Sequence, residues 1–294
     1  MDDAPTFDLQ AHSTASDGAL APAAVVRAAH AAGVRLLALT DHDSVDGVQE
    51  ALEAAAALDG IALVPAIEVS ALDGERTDLH VCGYGIDHRS PPLLALLEEW
   101  RADRAARGER MVEALRELGW TVDDGPLRAR RAAGGAIGRP HVAAAAFEHP
   151  ANAARVAAEG LRTATDLLVA YLTPGAPAFR ERTRPTVAEA IEAIHAAGGV
   201  AVWAHPFWDV DEPAAVRATL ERFAALGLDG VEAFYPSFDG DQTRLLADEA
   251  ERLGLLTTGS ADFHGPEHPV FSRFRAFRLH GRTPRLGPIA PAEA

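Results

Sequence analysis

The sequence predicts an α/β fold, a distorted (β/α)7-type barrel interrupted by an inserted helical domain. Three observations carry this expectation. Short apolar runs rich in Val, Leu and Ala alternate with helical segments at both ends of the 294-residue chain, the pattern of buried parallel strands with crossover helices. Clusters of His and Asp follow these runs at Asp8-Leu-Gln-Ala-His12, Thr40-Asp-His-Asp43, Trp203-Ala-His-Pro206 and Ser260-Ala-Asp-Phe-His264. Residues at the C-terminal ends of barrel strands share one surface, so such clusters can meet. Between them, from about 93 to 184, strand signals are lacking.

In chain order, a strand near 6–11 leads into His12. A helix starts at Ala21-Pro22, with Pro early in its first turn, and Gly33 ends it. Arg35-Leu-Leu-Ala-Leu-Thr40 is a strand, and residues 44–58 are a helix that Asp43 or Ser44 can cap. Strands follow at 61–69 and 77–84. Helical periodicity then runs from Leu93 to Arg184, with breaks at Gly119, Gly125-Pro126, Gly134-Gly135, Gly138 and Pro150. Strands return at 199–204, 228–234 and 255–259, alternating with helices near 186–197, 212–226 and 240–253. The Pro- and Gly-rich tail after Gly281 reads as an edge or a loose end. The barrel is therefore assigned to residues 1–92 and 185–294, and the helical insertion to 93–184.

Composition narrows the function. Hydrophobic residues make up 48% of the chain, enough for a sizeable core. No apolar stretch approaches the ~20 residues of a membrane span, and Met-Asp-Asp-Ala-Pro lacks the basic start of a signal peptide. A cytoplasmic protein without a membrane partner is expected. Cys82 is the single cysteine, which excludes an intrachain disulfide and a Cys-based zinc site. All 27 basic residues are Arg, which excludes a Schiff-base lysine and a Gly-Lys-Ser/Thr phosphate loop.

A net charge of −16 argues against binding long nucleic acid. It leaves room for a small phosphorylated substrate held by a local basic patch. Residues 101–184 supply that contrast: 14 Arg against 10 acidic residues give them +4, leaving −20 on the rest. Such a segment either has its own partner or is a helical layer with solvated Arg faces. Arg101, Arg104 and Arg107 recur every three residues and share roughly one helix face.

Imidazole and carboxylate together suit hydrolytic divalent metals such as Zn, Mn and Fe. The motifs are more specific than that. In order stand Asp8-Leu-x-x-His12-Ser, Ser16-Asp17-Gly18, Thr40-Asp-His-Asp43, Ile67-Glu68, His80-Val-Cys-Gly-Tyr84, Gly138-Arg-Pro-His141, Ala204-His-Pro206 and Ser260-Ala-Asp-Phe-His264. From Asp8 to Gly265 the chain resembles the polymerase-and-histidinol-phosphatase (PHP) superfamily. Within it, the chain looks most like stand-alone bacterial phosphoesterases acting on nucleoside 3′,5′-bisphosphates or on the 5′ ends of short RNAs.

The resemblance implies two or three divalent ions, Mn, Fe or Zn, with Mg also admissible. One ion would take His12, Glu68 and Asp262. A second would share Glu68 as a bridge, with His80 and His205. A third would take Asp17, His42 and His264. Catalysis would centre on Glu68, His205 and His264, with a metal-bound hydroxide attacking a phosphomonoester in line. The family pattern His-x-His reads Gln10-Ala-His12 here, so Gln10 is either a poorer ligand or a partner behind the ligands. Asp41 and Asp43 flank His42 and are expected to orient it. Arg104, Arg107, Arg139 and His141 are the candidates for gripping substrate phosphate, as guanidinium forks do.

A small phosphorylated nucleotide is the expected substrate and short single-stranded RNA a second candidate. Three rivals to the bisphosphate reading stand beside it: a 5′→3′ exonuclease on short strands, a histidinol-phosphate phosphatase, and a non-enzymatic metal-binding module. The remaining histidines read as surface or helix-end residues, except that His268 follows Asp262 and His264 closely enough to approach the site. Trp203 reads as core, whereas Phe207, Trp208 and Tyr235 lie at strand ends where a base could stack.

Overall fold

A computed structural model describes residues 5–74, 76–132 and 137–290. The first apolar runs form β1 (Phe7–Asp8), α1 (Pro22–Ala31), β2 (Leu36–Leu39), α2 (Val48–Ala56), β3 (Ala62–Asp73) and β4 (Arg76–Tyr84). A helical stretch follows: α3 (Pro91–Glu117), α4 (Gly125–Ala132), α5 (Arg139–Phe147), α6 (Ala153–Ala158) and α7 (Ala164–Tyr171). Then come α8 (Val187–Ala196), β5 (Val200–Trp203), α9 (Pro206–Asp209), α10 (Pro213–Ala225), β6 (Gly230–Phe234), α11 (Gly240–Leu253) and β7 (Leu256–Gly259).

The strands lie side by side in chain order, β1 to β7. The Leu9 N–H donates to Gly259 O at 3.2 Å, and Ala11 bridges to Phe263. These contacts bring β7 back against the first strand and nearly close the sheet into a barrel. Leu37, Leu39, Val25, Val26 and Ala51 fill the layer between β2 and the helices α1 and α2. Each of the buried Leu and Val side chains among them contributes about 1.5–3 kcal/mol. Trp203 is core, its ring edge-on to Phe223 at 5.2 Å.

Strand–helix alternation leads one to expect parallel strands throughout. The strands β1–β2–β3 and β5–β6–β7 are parallel, but β4 is antiparallel to both β3 and β5. The cause is local. Asp73 pairs with Arg76 across the turn, which leaves no length for the crossover a parallel pair needs.

Two further expectations are corrected. Helix α2 begins at Val48 rather than at residue 44. The Ser44 hydroxyl accepts the Asp46 N–H at 3.2 Å and donates to Asp46 Oδ2 at 3.0 Å, closing a turn ahead of the helix. The tail is not loose: the Thr257 N–H donates to Arg285 O at 3.0 Å, and the Arg285 N–H to Thr257 Oγ1 at 2.8 Å. The expected break at Gly134-Gly135 lies outside the described residues.

The chain divides into two compact units, residues 1–97 with 185–294, and residues 98–184. The second has its own apolar core of Met111, Leu115, Trp120, Val142 and Leu167. The Arg155 guanidinium lies 4.2 Å from the Trp120 ring centre, a cation–π contact. Among the described residues no helix is long and apolar enough to cross a membrane.

Candidate metal centre

The His and Asp clusters end their strands at one mouth of the sheet. His42 bridges to Glu68 of β3, and the His12 N–H donates to Phe263 O at 2.8 Å. Three non-glycine residues here hold left-handed backbone: Asp43 (φ 50°), His205 (φ 31°) and Asp262 (φ 53°). Such conformations cost about 1–3 kcal/mol each and persist where surrounding contacts enforce them. Those contacts are present. The Asp43 N–H donates to Glu68 O at 2.8 Å, and the His205 N–H to Glu232 Oε2 at 2.9 Å.

Glu68, fully buried, is the hub. Its Oε1 lies 2.9 Å from His80 Nδ1 and 3.1 Å from His205 Nε2, and these two nitrogens are 3.2 Å apart. Its Oε2 lies 3.1 Å from His12 Nε2 and 3.4 Å from His42 Nδ1. The same His12 Nε2 is 3.1 Å from Asp262 Oδ1. Asp17 closes the outer side, with its two oxygens 3.5 Å from His12 Nδ1, 3.6 Å from His264 Nε2 and 3.7 Å from His42 Nε2. His12 and Glu68 sit at the closed end, while the Asp17 side chain is 42% exposed. The centre therefore opens to solvent on the Asp17 side.

Three sets of donor atoms each lie within 4.8 Å of one another: His12, Asp17, His42 and His264; His42, Glu68 and His80; His12, Glu68 and Asp262. An ion with ligand bonds of about 2.0–2.2 Å spreads its donors over no more than about 4.4 Å, close to this spacing. Several of these donors also lack other employment. His12 Nδ1 and Nε2, His42 Nδ1, Glu68 Oε2 and Asp262 Oδ1 are buried without a hydrogen bond. Buried polar atoms are rarely left so, and convergent nitrogen and carboxylate lone pairs fit a cation.

The charges point the same way. Burial and His12 hold the His264 imidazole down to about 4, and burial also lowers His42. His264 Nδ1–H donates to Asp262 O at 2.7 Å, so a neutral ring directs the Nε2 lone pair toward Asp17. Burial opposes protonation of His205 and His12, yet carboxylates outweigh it. Glu68 pushes His205 up to about 10, and Asp262 with Glu68 raises His12 well above its usual value. Burial alone would raise Glu68 and Asp17. Surrounding imidazoles, His42 foremost for both, hold them below the usual carboxylate range.

Around this centre stands a supporting set that sequence reasoning placed differently or missed. Asp41 does not orient His42. Its Oδ1 accepts the Ser13 N–H at 2.7 Å and the Ser16 hydroxyl at 2.6 Å, and its Oδ2 accepts the Ser13 hydroxyl at 2.7 Å. It therefore clamps the loop that carries His12 and Asp17. Asp43 accepts the Ser70 N–H at 2.9 Å, tying the segment to β3 beside Glu68. Tyr235 donates its hydroxyl to Asp262 Oδ2 at 2.7 Å. Burial and the Asp262 charge raise that phenol well above its usual range, keeping it a donor.

Glu232, a lone carboxylate inside the apolar run of β6, also belongs to this set and is the kind of signal a sequence can carry. It accepts the Ser260 hydroxyl at 2.6 Å as well as the His205 N–H, and burial pushes it up to about 8. Asp8, whose carboxyl burial raises to about 7, accepts the N–H groups of Ala261 and Arg275, both at 2.8 Å. Gln10 is fully buried, its Oε1 3.5 Å from Ser260 Oγ.

The four phosphate-grip candidates belong to the helical unit. Arg104, Arg139 and His141 are half-buried, and His141 Nδ1 accepts the Gly138 N–H at 3.0 Å at the start of α5. Arg107 is buried, with Nε donating to Arg180 O at 2.7 Å and its guanidinium 5.4 Å from the Phe179 ring centre.

Comparison with known proteins agrees with this geometry. The PHP domain model matches residues 8–121. A 3′,5′-nucleoside bisphosphate phosphatase from Chromobacterium violaceum is 37% identical over 262 residues, 88% of this chain and 87% of the relative. A 5′-3′ exoribonuclease from Haemophilus influenzae is 35% identical over 260 residues, 88% of this chain and 90% of the relative. The chain belongs to the PHP family.

A crystal structure from Bifidobacterium adolescentis, assigned as a metal-dependent phosphoesterase, superposes with a TM-score of 0.72. It shares 30% identity and is covered, like this chain, to 91%. The present PHP protein is accordingly a metal-dependent phosphoesterase, and the His, Glu and Asp cluster is where metal can bind.

Proposed function

We propose that this phosphoesterase removes a phosphate from small nucleotides, nucleoside 3′,5′-bisphosphates foremost, with two or three divalent ions of Mn, Fe or Zn, Mg also serving. The observation that carries the reading is Glu68, whose two oxygens face different pairs of imidazoles, His80 with His205 and His12 with His42. A carboxylate so placed would serve two cations at once. His12 and Asp262 would complete one position, His80 and His205 a second, and Asp17, His42 and His264 would form a third. When bound, divalent ions there supply neutralisation of phosphoryl charge and activation of water at neutral pH.

The chain's own residues do the rest. Tyr235 and the carbonyl of Asp262 fix the direction of the Asp262 carboxylate and the His264 ring. Glu232 holds the backbone of His205. Asp17, the most exposed member, marks the side from which substrate enters. Glu68, His205 and His264 are the groups on which catalysis depends. In the helical unit Arg104, Arg107, Arg139 and His141 are proposed to hold the second phosphate, with Arg107 packed on Phe179.

The relationship to a bisphosphate phosphatase supports this substrate class. The relationship to a 5′-3′ exoribonuclease supports a second reading, stepwise hydrolysis of short RNA. Product release from a nucleoside 3′,5′-bisphosphate, a nucleoside monophosphate, a 5′-phosphorylated short RNA and histidinol phosphate, compared by kcat/KM, tests both. The bisphosphate is expected to lead, and Arg139→Ala to erase its lead over the monophosphate mainly through KM, by roughly 10- to 150-fold. Faster turnover of the RNA would establish the second reading instead.

A further inference from the structure

Trp208 is 53% exposed, and it stands three residues beyond His205. Three other rings pack against it. His205 and Tyr235 lie nearly perpendicular to it at 6.4 and 6.3 Å, and Phe271 is tilted against it at 5.7 Å. Phe271 in turn stacks on His268 at 5.2 Å with 12° between the planes, and lies 5.5 Å from His264. His268 Nδ1 accepts the Phe271 N–H at 2.9 Å, which holds the His268–Phe271 turn in place. Val270, the next residue back, is 59% exposed. An apolar, ring-rich surface thus adjoins His205 and His264, at the edge of a centre built from charge.

An exposed indole at the edge of a polar site gives a ligand a large apolar face to cover. Here its neighbours fix the ring in advance, so a ligand laid on it spends little further ordering entropy. The surface offers ring faces, and the one imidazole in it already uses its Nδ1 on the backbone. Such a surface suits a flat aromatic group and reads its hydrogen-bonding edge poorly. The group that accompanies a phosphate in a nucleotide is the nucleobase.

We propose that Trp208, with Phe271, is the stacking platform for the base of the nucleotide whose phosphate is hydrolysed, and that it accepts purines and pyrimidines alike. The proposal rests on the nucleotide reading given above. It makes Trp208 a determinant of substrate class, selecting nucleotides over base-free sugar phosphates.

The test uses the metal-loaded enzyme and a matched pair of substrates, a nucleoside 3′,5′-bisphosphate and the abasic ribose 3,5-bisphosphate, with adenine and uracil compared as bases. The wild type is expected to prefer the nucleotides. Trp208→Ala is expected to lower that preference by about 5- to 150-fold, the span of stacking on one aromatic ring, mainly through KM. Phe271→Ala should lower it in the same direction, and serves alone if Trp208→Ala retains no metal. Adenosine, which has a base and no phosphate, should quench tryptophan fluorescence in the wild type but not in Trp208→Phe. A wild type indifferent to the base would overturn the nucleotide reading and the platform together. A wild type that prefers the base, with variants that keep the preference and no Trp208-dependent quenching, would overturn the platform alone.

Discussion

Tyr235 donates its hydroxyl to one oxygen of Asp262 at 2.7 Å and leaves the other oxygen 3.1 Å from His12 Nε2. The phenol thereby decides which lone pairs of Asp262 face the centre. Groups that orient ligands in this way typically account for ~10–100-fold in metal affinity or activity. Tyr235→Phe is expected to lose activity within that range and to bind metal more weakly, with little change in circular dichroism. A variant with wild-type metal affinity would show that Asp262 is oriented by other contacts.

Glu68→Ala is expected to cost far more than Asp43→Ala. The first removes the only carboxylate placed between two pairs of imidazoles among the described residues. The second removes a side chain that ties a backbone segment to Ser70. For Glu68→Ala, metal content by elemental analysis should fall by the ions that Glu68 would share and phosphate release should fall to near background, against an activity loss within ~10–100-fold for Asp43→Ala. Equal mild losses at both positions would remove Glu68 from its bridging role.

Metal uptake should release protons. Without metal, burial works against charge at His205 and His12, but the facing carboxylates raise both, His205 to about 10. At pH 7 these rings hold protons that an incoming cation must displace, so affinity is expected to weaken as pH falls. Calorimetric titration in buffers of different ionisation heat should give about one to two protons released per chain at pH 7. The sign in the metal-free protein is the ordinary one for a raised histidine. The contacts of His205 contribute stability that is complete below about 6.5 and is lost as pH rises through about 10. No proton release at pH 7 would contradict the assignment of these rings as ligands.

Gln10→His should tighten retention of zinc-like ions during dialysis against a weak chelator. Gln10 is buried near Ser260, and an imidazole is a better donor to such ions than an amide oxygen. Unchanged retention would mean that position 10 only packs behind the ligands.

Much of the fold and the cluster was legible in the sequence, for physical reasons. His12, His42, His205 and Asp262 each follow an apolar run, and strand ends converge in any barrel of this kind. The direction of β4 was not legible from alternation, because it depends on the short turn between Asp73 and Arg76 rather than on the strands themselves. The task of Asp41 was hidden for a different reason. Its three donors belong to Ser13 and Ser16, more than two dozen residues away, so adjacency to His42 misled. The spacing of Arg107, which made it a candidate phosphate grip, gave no sign that Phe179 and Arg180 pack against it. Glu232 shows the converse, a charge in an apolar strand whose partner, the His205 N–H, only the fold reveals.

The Glu68-centred cluster is proposed to hold several divalent ions on which hydrolysis depends. Elemental analysis of the purified protein after supplementation with Mn, Fe or Zn, paired with phosphate release before and after chelation, measures this most directly. Two or three ions per chain, with activity lost on chelation and regained on adding metal back, is the predicted result. Fewer than one ion per chain, or phosphate release that survives complete removal of metal, would contradict it.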